Sequence, residues 1–192
     1  MSRGVKITLV VVAIVLVLCC ISGVSIYIIA RQTANQAFTV DSAQAAKIGH
    51  EIVDYTLPPG YREEGAMNAF VFKMVMIGSS SYSTNAMMFM LMQYPFGSNV
   101  SQEEMERQMR QAWAQQSQRS YAQMKVVGTQ KATIRGQAVT LIVSEGGVSD
   151  NQTMRQVMGF FSGKGGMAAV MATGLKETWD QAAMDSFLAS MK

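Results

Sequence analysis

Residues 66–77 read Ala66-Met67-Asn68-Ala69-Phe70-Val71-Phe72-Lys73-Met74-Val75-Met76-Ile77. Phe70, Phe72, Met74 and Met76 alternate with Ala69, Val71, Lys73 and Val75, the period of two that sends successive side chains to opposite faces of a strand. A polar run over residues 78–85 turns the chain. Residues 86–94 follow as Ala86-Met87-Met88-Phe89-Met90-Leu91-Met92-Gln93-Tyr94, apolar at both parities, as expected of a strand covered on both faces. Met88, Met90 and Met92 share one face of that strand, and Met74 and Met76 share a face of the one before it.

Working outward, the first element beyond residue 40 reads as a helix. Asp41 or Ser42 can cap it, and Ala45, Ile48, Ile52 and Tyr55 recur at helical spacing before Leu57-Pro58-Pro59-Gly60 stops it. Ser101-Gln102-Glu103-Glu104 is a capping box, followed by an apolar stripe of Met105, Met109, Ala112 and Trp113. Residues 124–133 and 138–145 flank Arg135-Gly136 as one hairpin. Residues 153–162 and 167–173 flank Gly163-Lys164-Gly165-Gly166 as a second. Thr178 and Gln181 offer another capping box for a last helix carrying Trp179, Ala183, Phe187, Leu188 and Met191. Sequential hairpins rather than βαβ units give an α+β fold: a mainly antiparallel sheet of about six strands packed with about three helices.

Ahead of this domain, residues 7–30 carry no charge, and about fifteen of them are Ile, Leu or Val. A helix of that length spans roughly 36 Å, against about 30 Å of hydrocarbon. The run is longer than the apolar core of a signal peptide. Ala34 and Ala37 have the wrong spacing for a cleavage site, and Leu18 before Cys19 makes a poor lipobox. An uncleaved N-terminal transmembrane helix is therefore predicted, with Ile7, Leu16, Cys19, Cys20 and Ile29 within the bilayer. Arg3 and Lys6 precede it unopposed, which puts residues 1–6 in the cytoplasm as a tail. Residues 31–40 then serve as a polar stalk, and residues 41–192 form an extracytoplasmic domain at a single-pass cell membrane.

Arg3 and Lys6 are two of 16 bases set against 13 acids, so the domain beyond the anchor is near neutral. That balance argues against nucleic acid as a partner. Two Cys and one His leave no disulfide scaffold and no zinc cluster, and no metal or other cofactor is expected from them. His50 lacks a neighbouring nucleophile motif and reads as an exposed helix residue. Glu63 and Glu64 are adjacent and would point apart in a strand, which disfavours shared acid–base work. Gly163-Lys164-Gly165-Gly166 lacks the P-loop spacing and reads as a turn. Asn99-Val100-Ser101 and Asn151-Gln152-Thr153 match the glycosylation sequon. No enzyme activity is expected.

The corner Leu57-Pro58-Pro59-Gly60-Tyr61, together with the Gly136 hairpin and the order of elements over residues 41–192, resembles the PsbP/Mog1-like group. The resemblance implies an α/β/α domain and a mostly non-enzymatic role, as an extracytoplasmic lipoprotein, an accessory subunit of a membrane complex or a binding adaptor. It also implies a strand where the residues before the corner read as a helix.

The 17 methionines are the unusual count. Packing is the first reading, since Met fills irregular cores. If the two Met-bearing strands pair, Met74, Met76, Met88, Met90 and Met92 would cluster. They could then form a repacking binding surface, a pocket for a lipid or other hydrophobic ligand, or a soft thioether site for Cu(I). The leading functional expectation is a membrane-anchored, non-catalytic binding or accessory-subunit domain. It would contact the lipid bilayer through residues 7–30 and a protein partner in or at the membrane.

Overall fold

The computed structural model describes residues 38–69, 72–80, 87–94, 104, 107, 124–149 and 151–192. The chain divides into two compact units, Met1–Phe38 and Thr39–Lys192, and only Phe38 of the first is described.

The strands are β1 (Phe38–Thr39), β2 (Tyr61–Ala69), β3 (Phe72–Ser79), β4 (Met88–Tyr94), β5 (Lys125–Ile134), β6 (Gln137–Ser149), β7 (Gln152–Gly163) and β8 (Gly166–Leu175). The helices are α1 (Ser42–Ile52) and α2 (Gln181–Ser190), and one 3-10 turn covers Lys176–Thr178. The strands form one sheet in the order β1-β2-β3-β4-β8-β7-β6-β5, and every pairing from β2 to β5 is antiparallel.

This corrects the expected count. Eight strands replace about six, and the described residues hold two α-helices rather than three. The apolar run over residues 66–77 is two strands. Ala69 pairs with Phe72 and Met67 with Met74, leaving only Phe70 and Val71 between β2 and β3. Neither residue is a Gly, Asn or Asp, so the usual sign of a two-residue hairpin is missing. The predicted transmembrane helix over residues 7–30 lies outside the described residues. Among the described residues no helix is long and apolar enough to cross a membrane. The helix predicted from Ser101, with its stripe of Met105, Met109, Ala112 and Trp113, also lies outside them. Its Glu104 and Arg107 are described, helical and ion-paired.

Asp41 caps α1, its side chain accepting from Gln44 N at 2.8 Å. Asp180 caps α2, accepting from Ala183 N at 2.9 Å. The Thr178 capping box therefore does not form: Thr178 belongs to the 3-10 turn, and Gln181 accepts from Trp179 Nε1 instead. Both helices cover one face of the sheet. Ala45 and Ile52 from α1 and Met184, Phe187 and Leu188 from α2 join Val75, Ile77, Phe89, Leu91, Val139, Leu141, Val157, Phe161 and Val170 in the main core. Phe187 sits at its centre, 4.6 Å from Phe89 and 5.6 Å from Tyr55 between ring centroids. A fully buried Phe is worth roughly 1.5–3 kcal/mol in area removed from water alone.

The chain ends tie the helices to the turns. Lys164 N donates to Ile52 O, Lys192 N to Asp54 O and Arg135 N to Met191 O. Ser190 Oγ accepts from Thr56 N at 3.0 Å. Arg135 opens the β5–β6 turn with φ 52°, the left-handed conformation that such two-residue hairpins require.

Candidate functional site: the methionine face

The second face of the sheet follows from parity and register. On β4, Phe89, Leu91 and Gln93 are buried against the helices, so Met88, Met90 and Met92 face the other way. Strand pairing extends this into rows. One row runs Met67, Met74, Met92, Ala169, Phe160 across β2, β3, β4, β8 and β7. The next runs Met76, Met90, Met171, Met158, Ile142 from β3 to β6. Tyr94 and Met167 pair beyond the first row, and Met88 and Thr173 beyond the second. Met158, Phe160 and Ala169 form a hydrophobic cluster separate from the main core, with Met92, Met167 and Met171 packed against it.

All five methionines singled out in the sequence are thus brought to one face: Met74 beside Met92, Met76 beside Met90, and Met88 next along β4. The sequence reading missed Met67, Met154, Met158, Met167 and Met171, which share that face. For Met67 the register of β2 against β3 is the cause, because it sets odd positions of β2 opposite even positions of β3. Met158, Met167 and Met171 carried a usable signal: alternation along the second hairpin, read together with its turn at Lys164-Gly165.

On this face the described residues of β3, β4, β8 and β7 carry no charged side chain of their own; from β2, Glu64 reaches over Gly78 of β3 and is paired with Arg62 at 2.8 Å. Polar groups here serve the sulfurs. Gln156 Nε2 donates to Met171 Sδ, and Thr173 Oγ1 donates to Met154 Sδ at 3.5 Å. The face offers polarizable, uncharged thioethers on flexible stems.

Ionizable groups gather on the helix side and serve structure. Glu145, with its side chain 14% exposed, meets Arg155 at 2.6 Å and Lys176 at 2.8 Å. The hydrogen bond from Lys176, then that from Arg155, holds its carboxyl below the ordinary range. Arg155 in turn lies over the Trp179 ring. His50 is exposed on α1, stacked on Tyr55 at 4.6 Å and 3.6 Å from Asp54. Tyr55 donates to Glu63, and burial first, then that carboxylate, pushes its hydroxyl upward. Glu64 turns instead to Arg62, so the two adjacent carboxylates diverge across a register shift in β2. Asp54 is held low chiefly by its bond from Lys164. Among the described residues no three of His, Cys, Asp or Glu come together to hold a metal. Ile7, Leu16, Cys19, Cys20 and Ile29 lie outside the described residues.

No protein-family model matches the chain. No curated protein matches it either. Among solved structures it is similar to the solution structure of cyanobacterial PsbP (CyanoP) from Synechocystis sp. PCC 6803, at 10% identity over 74% of this chain and 92% of that one, with a TM-score of 0.46. That similarity transfers no residue role to this chain.

Proposed function

We propose that the chain is a non-catalytic binding or accessory-subunit protein, held at the cell membrane by residues 7–30 with its C-terminal domain outside the cytoplasm. The observation that carries this reading is the methionine face: adaptable apolar side chains from several strands, with no charged residue of β3, β4, β8 or β7 on that face among the described residues. Met-rich surfaces repack against varied partners at small cost. The tether chooses the class of partner. A domain tethered through residues 7–30 stays beside the bilayer, which favours a partner that itself stands at the membrane. The occupant is therefore an apolar surface of a membrane-embedded protein. A hydrophobic small molecule on the same thioethers is the second reading, supported by the same face.

Photo-crosslinking in native membranes tests both. A photoreactive residue at Met92 should give one discrete product with a membrane protein, and Met90→Lys on the same face should abolish it. A control photoreactive residue at Lys131 on β5 should not give that product. Only uncrosslinked monomer, with no co-purifying subunit in mild detergent, would overturn the partner reading. Bound mass in native mass spectrometry would then favour the small molecule.

A further inference from the structure

Met74 pairs with Met92 and Met76 with Met90 across β3 and β4, all four on one face. Directly paired residues stand about 5 Å apart at Cβ, and alternate residues on one strand about 6.7 Å apart. The four side chains thus mark the corners of a small rectangle whose centre lies about 4 Å from each Cβ. A methionine sulfur is two bonds beyond Cβ, and metal–sulfur bonds run about 2.3 Å, so three or four thioethers can reach one ion above that centre. Methionine's three rotatable bonds allow this without moving the backbone.

The donor set chooses the ion. Four neutral thioethers suit a soft monovalent cation and disfavour zinc, calcium and magnesium; the carboxylate on this side of the sheet, Glu64 beside Gly78, is engaged by Arg62, and no three of His, Cys, Asp or Glu gather among the described residues. Neighbouring sulfurs differ in kind: Met171 and Met154 accept hydrogen bonds from Gln156 and Thr173. We propose that Met74, Met76, Met90 and Met92 form a thioether site for Cu(I). The site shares Met90 and Met92 with the proposed partner surface, but its test needs only this chain.

The full chain in detergent micelles, titrated anaerobically with Cu(I) against a chromophoric chelator, should bind one equivalent. Ag(I), which needs no reductant, should shift the ε-methyl resonances of these four methionines ahead of the others. Met90→Leu and Met76→Leu should each weaken binding at least tenfold, while Met154→Leu leaves it unchanged. Leucine conserves volume, so the fold is retained, and circular dichroism checks it. No Cu(I) uptake by the parent, equal uptake by the fourfold leucine variant, or silver shifts confined to other methionines would each overturn the site.

Discussion

Gly49 sets the packing of α1 against the chain that follows it. A Cβ placed there would lie 2.1 Å from Tyr55 Oη and 2.9 Å from Tyr55 Cε1 and Cζ. The ring has little freedom to withdraw, being stacked on His50, edge-on to Phe187 and hydrogen-bonded to Glu63 at 3.1 Å. Two opposed effects decide the outcome of Gly49→Ala. Helix propensity favours alanine by about 1 kcal/mol. Overpacking costs about 1–3 kcal/mol, and displacing the ring forfeits a hydrogen bond worth about 0.5–1.5 kcal/mol. The net is a destabilization of about 0.5–3.5 kcal/mol, read as a lower urea midpoint at unchanged slope. In a Tyr55→Phe background the 2.1 Å contact is gone, so alanine should cost less there by at least about 1 kcal/mol. A higher midpoint for Gly49→Ala alone would refute this reasoning, because propensity would then have acted with no clash to oppose it.

Two further outcomes follow from polar groups with little exposure. Gln93 is 3% exposed and its Nε2 has no partner among the described residues, so Gln93→Met should stabilize by about 1 kcal/mol and raise the thermal midpoint. Glu145→Gln should cost about 1 kcal/mol near pH 7. The folded carboxyl titrates below its ordinary 4.5, so the glutamate's stabilization is present above that value and fades as pH falls through the lowered one. Denaturation curves of parent and variant should therefore converge in acid, and a gap that persists at low pH would assign the loss to packing.

The sequence made the second half of the sheet legible because its punctuation is explicit. Arg135-Gly136 and Lys164-Gly165 sit between alternating runs, and the hairpins form around both. Asp41 was readable as a cap for the same local reason. The β2–β3 reversal was not readable, since Phe70-Val71 continues the apolar alternation straight through it. Nor was β1, a strand of two residues. Thr178 misled because Asp180, two residues on, caps α2 better. The five methionines of β3 and β4 could be placed on faces by parity alone. That the face of β7 and β8 continues theirs could not be read, because the β4–β8 pairing joins residues distant in sequence, which no local pattern records.

That order has a kinetic side. Every pairing from β2 onward joins sequence neighbours except one: β4 meets β8, Met88 opposite Thr173 and Tyr94 opposite Met167. The sheet is two meanders, β1–β4 and β5–β8, sewn along a single long-range seam. Local hairpins close cheaply and early, whereas a distant pairing must first meet the entropy of a large loop. The seam is therefore expected to close after the local hairpins, and its methionines are half of those on the methionine face. Until it closes, each meander presents an open strand edge with methionines beside it, the window in which this chain is most exposed to pairing with another copy.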